Sequence, residues 1–240
     1  MKKFSLTFLS LVILICPLIS QAQDNTRAVI RFVGCTIDEG FTFDEVVDKA
    51  KRLNWGENSP NAVFFRRPIY STDTTMEDTD ILIAAYYTNH SEMVDRRVAL
   101  GSDSRGNLPI SCGAPSVWRS YNVTENFGPV EQTAMLAHRC TLNDGVTPRS
   151  AFNRISALAD NYAAAGDDSL VQMNVPSLGG GGNDRDFFLA VVGSSRQNLT
   201  RQLDMRFEGF RAELGNNSES SFSCDTPNLW STTSIYSANN

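Results

Sequence analysis

Apolar and polar positions along the chain alternate between two periods, and the order in which the periods change occurs twice. Residues 28–34 and 134–139 are short apolar-rich runs leading to a cysteine, which predicts a first strand. A turn follows at Asp38-Glu39-Gly40 and at Asn143-Asp144-Gly145, with glycine available for a positive φ. The period then becomes helical, through Phe43, Val46, Val47, Ala50 and Leu53 in the first copy and Ala151, Phe152, Ile155, Leu158, Ala159 and Tyr162 in the second. Thr42 is placed to cap the first helix with Glu45 completing a capping box and Phe41 stapling onto Val46, while Thr147 caps the second with Pro148 at the first helical position. Residues 62–65 and 170–173 predict a second strand, ended within a few residues by Pro68 or Pro176. Residues 81–87 and 187–192 are apolar on both faces, as a central third strand covered on each side must be. A second helix is weakly patterned at Met93, Val94 and Val98 and clearer at Leu199, Leu203, Phe207 and Phe210. Residues 117–123 and 229–237 read as strand four.

Four anchors match between the halves in the same order. Cys35-Thr36-Ile37-Asp38-Glu39-Gly40-Phe41-Thr42 returns as Cys140-Thr141-Leu142-Asn143-Asp144-Gly145-Val146-Thr147, and Arg67-Pro68 falls opposite Val175-Pro176. Asp78-Thr79-Asp80 falls opposite Asp184-Arg185-Asp186, and Ser111-Cys112-x-x-Pro115-x-x-Trp118 opposite Ser223-Cys224-x-x-Pro227-x-x-Trp230. The chain is therefore read as a duplication: a module at 28–123, a linker at 124–133 and a second module at 134–238.

Composition narrows the setting. Residues 1–22 read as a secretory leader, with Lys2 and Lys3, an apolar run broken by Cys16-Pro17, and Ser20-Gln21-Ala22 before the cleavage point. Removing Lys2 and Lys3 with the leader takes the formal charge from −6 to −8, and no basic cluster longer than a pair remains, so a nucleic-acid partner is not expected. No second long apolar run follows, so no membrane association is expected after cleavage, and the exported chain is placed in the periplasm or outside the cell as a monomer with internal pseudo-two-fold symmetry. Asn89, Asn122, Asn198 and Asn216 begin Asn-x-Ser/Thr triplets, which matter only in a glycosylating host.

In each module the elements run β-α-β-β-α-β, an α+β ferredoxin-like unit in which strand four lies antiparallel beside strand one. Cys35, Cys112, Cys140 and Cys224 form an even set that permits three pairings. The repeat and this topology select Cys35 with Cys112 and Cys140 with Cys224, one bridge per module, because those cysteines end strand one and begin strand four.

The paired ferredoxin-like pattern resembles the dimeric α+β-barrel group, the antibiotic-biosynthesis-monooxygenase-like and stress-responsive barrel proteins. That resemblance covers residues 28–238 in topology and implies two sheets facing each other across a lumen, here as a pseudo-dimer within one chain. It carries over no catalytic motif residue by residue. A closer likeness, to exported bacterial proteins with Cys-Thr-x-x-x-Gly, implies no activity.

The candidate chemistry is sparse. His138 lies two residues before Cys140, so alternation puts both on one face; if that face is the lumen, His138, Val33 and Arg31 line it, and a histidine near an arginine serves as a base or a carboxylate receptor. Trp118 and Trp230 hold equivalent places early in strand four and offer an aromatic wall to an apolar ligand, or simply pack the core. The Asp78/Asp80 and Asp184/Asp186 pairs, with Asn183, invite comparison with a calcium site, but lack EF-hand spacing and read better as turn carboxylates. The glycines at 179–182 lack the Lys-Ser/Thr of a phosphate loop, and no zinc motif or nucleophile elbow is present. No metal or cofactor is expected, and the catalytic residues are not assigned. The favoured expectation is a non-catalytic, disulfide-stabilised exported protein that binds a small apolar ligand or a protein partner. The alternatives are a cofactor-free monooxygenase- or isomerase-like enzyme with its site between the sheets, and a structural or surface-assembly component.

Overall fold

In a computed structural model, residues 27–71, 79–100, 107–126, 128, 130–179, 185–205 and 221–238 are described. The leader, Asp78, Asn183, Asp184, the glycines after Gly179, Phe207, Phe210 and Asn216 lie outside them. The first half runs β1 (Arg27–Ile37), α1 (Phe43–Lys51), β2 (Ala62–Tyr70), β3 (Ile81–Tyr87), α2 (His90–Leu100), β4 (Ile110–Cys112) and β5 (Ser116–Asn122). The second runs β6 (Gln132–Leu142), α3 (Pro148–Ala164), β7 (Leu170–Gly179), β8 (Phe187–Val192), α4 (Arg196–Met205), β9 (Phe222–Cys224) and β10 (Asn228–Ser237).

Strands of the first half pair in the order β2-β3-β1-β5 and those of the second in the order β7-β8-β6-β10, antiparallel throughout. The two sheets join twice. β5 pairs with β7 and β10 with β2, which closes an eight-stranded antiparallel barrel with the four helices outside it. The short β4 and β9 extend the ladders of β1 and β6. Strand four is thus broken in two in each half, with the cysteine on the short piece rather than at the head of one continuous strand.

Local chemistry explains the joints after β1 and β6. Thr42 accepts from the backbone of Glu45 while the Glu45 carboxylate accepts from the Thr42 N–H, completing the capping box; Thr147 accepts from Ser150 N with Pro148 at the helix start. Gly40 and Gly145 turn the chain at φ 86° and 75°. Asp80 accepts from the N–H of Ile37 at 2.8 Å while its own N–H donates to the Cys35 carbonyl, and Asp186 does the same with Leu142 and Cys140. These aspartates act as turn carboxylates that hold the ends of β1 and β6, and among the described residues no cluster of metal-ligating side chains forms.

Cys35 is bonded to Cys112 and Cys140 to Cys224, closing sequence separations of 77 and 84 residues. Chain-entropy bookkeeping assigns each about 4.5 kcal/mol of stabilisation.

Alternation along the strands separates two cores. Val29, Val33, Cys35, Val63, Phe65, Ile81 and Ile83 pack on Val46, Val47 and Ala50 of α1 and Met93 of α2. Cys140, Met173 and Phe187 pack on Ala151 and Ile155 of α3, and Ala134, Leu136 and Val191 on Leu199 of α4. The residues between them face the barrel interior. In α2 only Met93 of the apolar trio is buried; Val94 and Val98 stand 49% and 77% exposed, so the weak helical pattern there marks a single contact and not a stripe.

Pro68 and Pro176 do not end β2 and β7. Each pairs with a tryptophan across a join between the sheets, Pro68 with Trp230 and Pro176 with Trp118, and the ladder slips by one residue immediately beside each pair. A proline offers no N–H to a ladder, and a bulge is where a strand tolerates that loss.

Candidate functional site

The interior face of the barrel is built from alternate residues of all eight strands. On one side Ile30, Phe32, Phe64, Leu82, Ala84, Tyr86, Trp118 and Phe188 form a cluster, and on the other Met135, Ala137, Leu170, Ala190, Val192 and Trp230 do so. Phe32, Trp118 and Phe188 meet edge to face in a triad, with centroid separations of 6.5, 6.1 and 6.1 Å, and Phe188 carries the contact from one half to the other. Trp230 is 3% exposed, whereas Phe64, Leu82, Tyr86, Trp118 and Phe188 are only partly buried although they point inward. An inward side chain of a closed barrel keeps accessible surface only where there is room beside it, and eight strands enclose space for side chains or for one small ligand.

Polar groups interrupt this apolar wall at the two joins. Arg66 is 3% exposed. One guanidinium nitrogen donates to the Tyr86 hydroxyl at 2.8 Å and the guanidinium lies 5.4 Å over the Phe32 ring, while Nε has no hydrogen-bond partner. Thr232, its direct partner on β10, is buried with Oγ1 unpartnered. At the opposite join Asn174 and Ser120 are direct partners, both buried, with Asn174 Oδ1 and Ser120 Oγ unpartnered. Trp230 Nε1 is a fifth such atom. Of the six buried side-chain polar atoms without a partner among the described residues, five therefore belong to interior positions; the sixth is Gln202 Oε1. The repeat anchors superpose the two joins: Arg66 corresponds to Asn174 and Thr232 to Ser120.

Charge is equally one-sided. The ten strands carry Arg27, Arg31, Arg66, Arg67, Arg119 and Arg139 and not one Asp or Glu, in a chain of 27 acidic and 21 basic residues.

Two of the four expected ligand-lining residues face this interior and two do not. Trp118 and Trp230 do. Arg31 pairs with Ala85 and Val117, both in the core under α1 and α2, and His138 pairs with Leu189 in the core under α3. The expectation failed on parity. Cys35 and Cys140 face the helices, and residues two positions away share that face. His90, at the start of α2, reaches Ser177 Oγ with Nε2 at 2.7 Å, and Ser177 is the extra residue of the Pro176 bulge. Arg66 was not singled out by sequence; the available signal was a charged residue following Val63-Phe64-Phe65 inside a strand.

A hollow of about 550 Å³ opens on the helix side between the start of α3 and the β5–β7 join, lined by Arg27, Tyr121, Arg149, Phe152, Met173 and Val175. A haem group would need an axial donor. The four described cysteines are bonded in pairs, and neither histidine lines the interior or this hollow, so the residues present do not offer a histidine-ligated haem a seat in either place.

No family model matches the sequence, and no curated protein matches it. Solved structures match over almost the whole chain. A candidate chlorite dismutase superposes with a TM-score of 0.50 at 11% identity, covering 88% of this chain and 96% of its own. A candidate monooxygenase from Lactobacillus acidophilus NCFM does so at 0.53 and 7%, covering 88% and 95%. A variant of chlorite dismutase from Candidatus Nitrospira defluvii gives 0.50 and 9%, covering 89% and 94%. At such identities the likeness establishes the fold alone, a closed eight-stranded antiparallel barrel with helices outside it, which these structures share. The expectation of a non-catalytic binding protein is corrected on this finding: the three structures named here carry enzyme names, which favours the enzyme alternative.

Proposed function

We propose that the protein is an enzyme of the monooxygenase- or isomerase-like kind, acting on a small organic substrate held inside the barrel between the two sheets. The observation that carries this reading is the Arg66–Tyr86 pair, a guanidinium bonded to a phenol within an aromatic enclosure. Because the Tyr86 hydroxyl accepts from Arg66, its own proton is free to be donated to a substrate oxygen. Arg66 then stands behind it as the charge that stabilises an oxyanion as it develops, an effect worth more in a dry interior than in water. Enolisation through such an oxyanion, with the α-hydrogen passing as a proton to solvent water, is the isomerase form of the chemistry; in the oxygenase form the α-carbon of the same anion bonds to molecular oxygen as co-substrate and the resulting peroxide anion takes a proton back to give a hydroperoxide.

The rest of the architecture fits this use. We read the halves as tandem ferredoxin-like modules, 28–123 and 134–238, joined through 124–133, and residues 1–22 as an export leader. Two disulfides are at home in an oxidising compartment, the periplasm or the cell exterior. Among the described residues no helix is long and apolar enough to cross a membrane.

The test is deuterium exchange. Aryl ketones with an acidic α-hydrogen are incubated with the oxidised protein in D2O and followed by NMR, with oxygen uptake recorded in parallel. Wild-type protein should accelerate exchange or oxygen consumption for at least one member of the series, and Tyr86→Phe should lose about tenfold or more, the ordinary contribution of a positioned acid. Absence of both activities across the series, or full activity in Tyr86→Phe, removes this assignment.

A further inference from the structure

We infer that the substrate is an anion, a small aromatic carboxylate, whose carboxylate is received by Arg66 Nε and Thr232 Oγ1 and whose ring lies against Phe32, Trp118 and Phe188. This rests on the interior-site reading and adds the charge and shape of what enters.

Three independent observations converge on it. Arg66 is buried without a carboxylate: its hydrogen bond goes to a neutral phenol and its flat face to a ring, and Nε is left over. A guanidinium out of water is stabilised by a planar acceptor that fits its fork, which a carboxylate is and a neutral amide is less so. A second polar group is placed by the ladder, since Thr232 is the direct cross-strand partner of Arg66 on β10 and its buried Oγ1 is also unpartnered. None of the barrel strands contains Asp or Glu, so no carboxylate on a strand competes for the site.

The second join supplies the contrast. Asn174 and Ser120 occupy the equivalent places and carry no charge, although their side chains are as buried and as incompletely bonded. An anion therefore distinguishes the two joins, and a planar one enters in a single orientation, carboxylate toward the β2–β10 join. The partly buried rings of Trp118 and Phe188 are the apolar surface left for the remainder of the molecule.

The experiment uses benzoate as the probe, with benzamide as its neutral counterpart and acetate as the anion without a ring. Binding to the full-length oxidised protein is followed by calorimetry and by the shift of the thermal midpoint. Benzoate should bind at least tenfold more tightly than either control. Arg66→Gln should lose benzoate affinity tenfold or more and benzamide affinity far less, and Thr232→Val should lose a few-fold, with both variants checked by circular dichroism and non-reducing peptide mapping. Equal binding of benzoate and benzamide, or benzoate affinity unaltered in Arg66→Gln, overturns the anion assignment while leaving an interior aromatic site standing. If none of the three binds, the interior site itself fails and the inference with it. Acetate matching benzoate would retain the anion and overturn the aromatic part.

Discussion

Replacing Arg66 by methionine should make the protein more stable. At 3% exposure the guanidinium has given up nearly all of its hydration, a penalty of several kcal/mol for an ion in a protein interior. What it receives in return is one charge-assisted hydrogen bond to Tyr86, worth about 1.5–3 kcal/mol, and one cation–π contact with Phe32, worth about 0.5–2 kcal/mol. Methionine keeps most of the aliphatic stem against the same neighbours and removes the charge. Tyr86 loses its donor, but it is only partly buried and can turn to water. The net expectation is a gain of about 1–3 kcal/mol, in line with replacement of buried ionic groups by apolar ones of similar volume. Equilibrium urea unfolding of the oxidised protein measures it, as an increase in midpoint at unchanged slope. In a chain of this size the same gain should appear as a rise of about 2–4 °C in thermal midpoint for each kcal/mol. A loss of 2 kcal/mol or more would refute the reasoning, because that is the signature of a broken pair, and it would mean that Arg66 has a partner in the native fold and no anion to wait for.

Two further expectations concern the frame around the site. Removing one bridge as the pair Cys35→Ser and Cys112→Ser should cost up to about 4.5 kcal/mol, and the equivalent pair at Cys140 and Cys224 nearly the same, since the closed loops differ by only a few residues; unfolding midpoints that differ strongly between the two variants would show that the bridges serve unequal roles. Glu92 sets an acid limit on stability. Burial pushes its carboxyl up, but bonds from the Thr88 backbone and side chain, the charge of Arg96 and the Asn61 amide together outweigh that and hold it below 4.5. A group lowered in the folded state contributes stability above its unfolded value and loses it as pH falls through the folded one. Glu92→Gln should therefore cost about 1–2 kcal/mol at pH 7, with the gap to wild type closing below pH 4.5; a gap constant from pH 7 to pH 3 would contradict it.

What sequence could and could not read here divides along physical lines. The joint at Cys35 to Thr42 is local: a glycine turn, a capping threonine and a glutamate three residues on act within one or two turns of chain, and they fold as their chemistry dictates. Facing is another matter. Strands buried on both sides are apolar on both sides, so alternation reveals two faces without saying which is interior, and placing the cysteines in the lumen carried Arg31 and His138 in with them. In the structure the bridges lie with the helices, Cys140 against Ala151 and Ile155. Pro68 and Pro176 misled for a similar reason. A proline reads as the end of a strand, but here each sits at a bulge in a pairing between the two halves, made with a tryptophan far away in sequence, and nothing local announces such a pairing. The same long-range pairing hid Arg66, whose significance comes from Thr232 beside it and from the absence of acids on every neighbouring strand.

Two halves of different sequence in one chain give that arrangement its meaning. In a dimer of identical subunits a two-fold axis makes both joins the same, and any residue in one is present in the other. Two copies of Arg66 would then face one interior; at a separation of about 10 Å and an effective dielectric of about 20 they would repel by roughly 1.7 kcal/mol, in addition to a second burial penalty. Halves of one chain are free to differ at the two joins. Arg66 and Thr232 keep a charged pair on one side while Asn174 and Ser120 stand in the same register on the other, polar but neutral. One join is thus positive and the other neutral. A single anionic substrate needs that polarity to be held one way round, and two identical joins could not supply it.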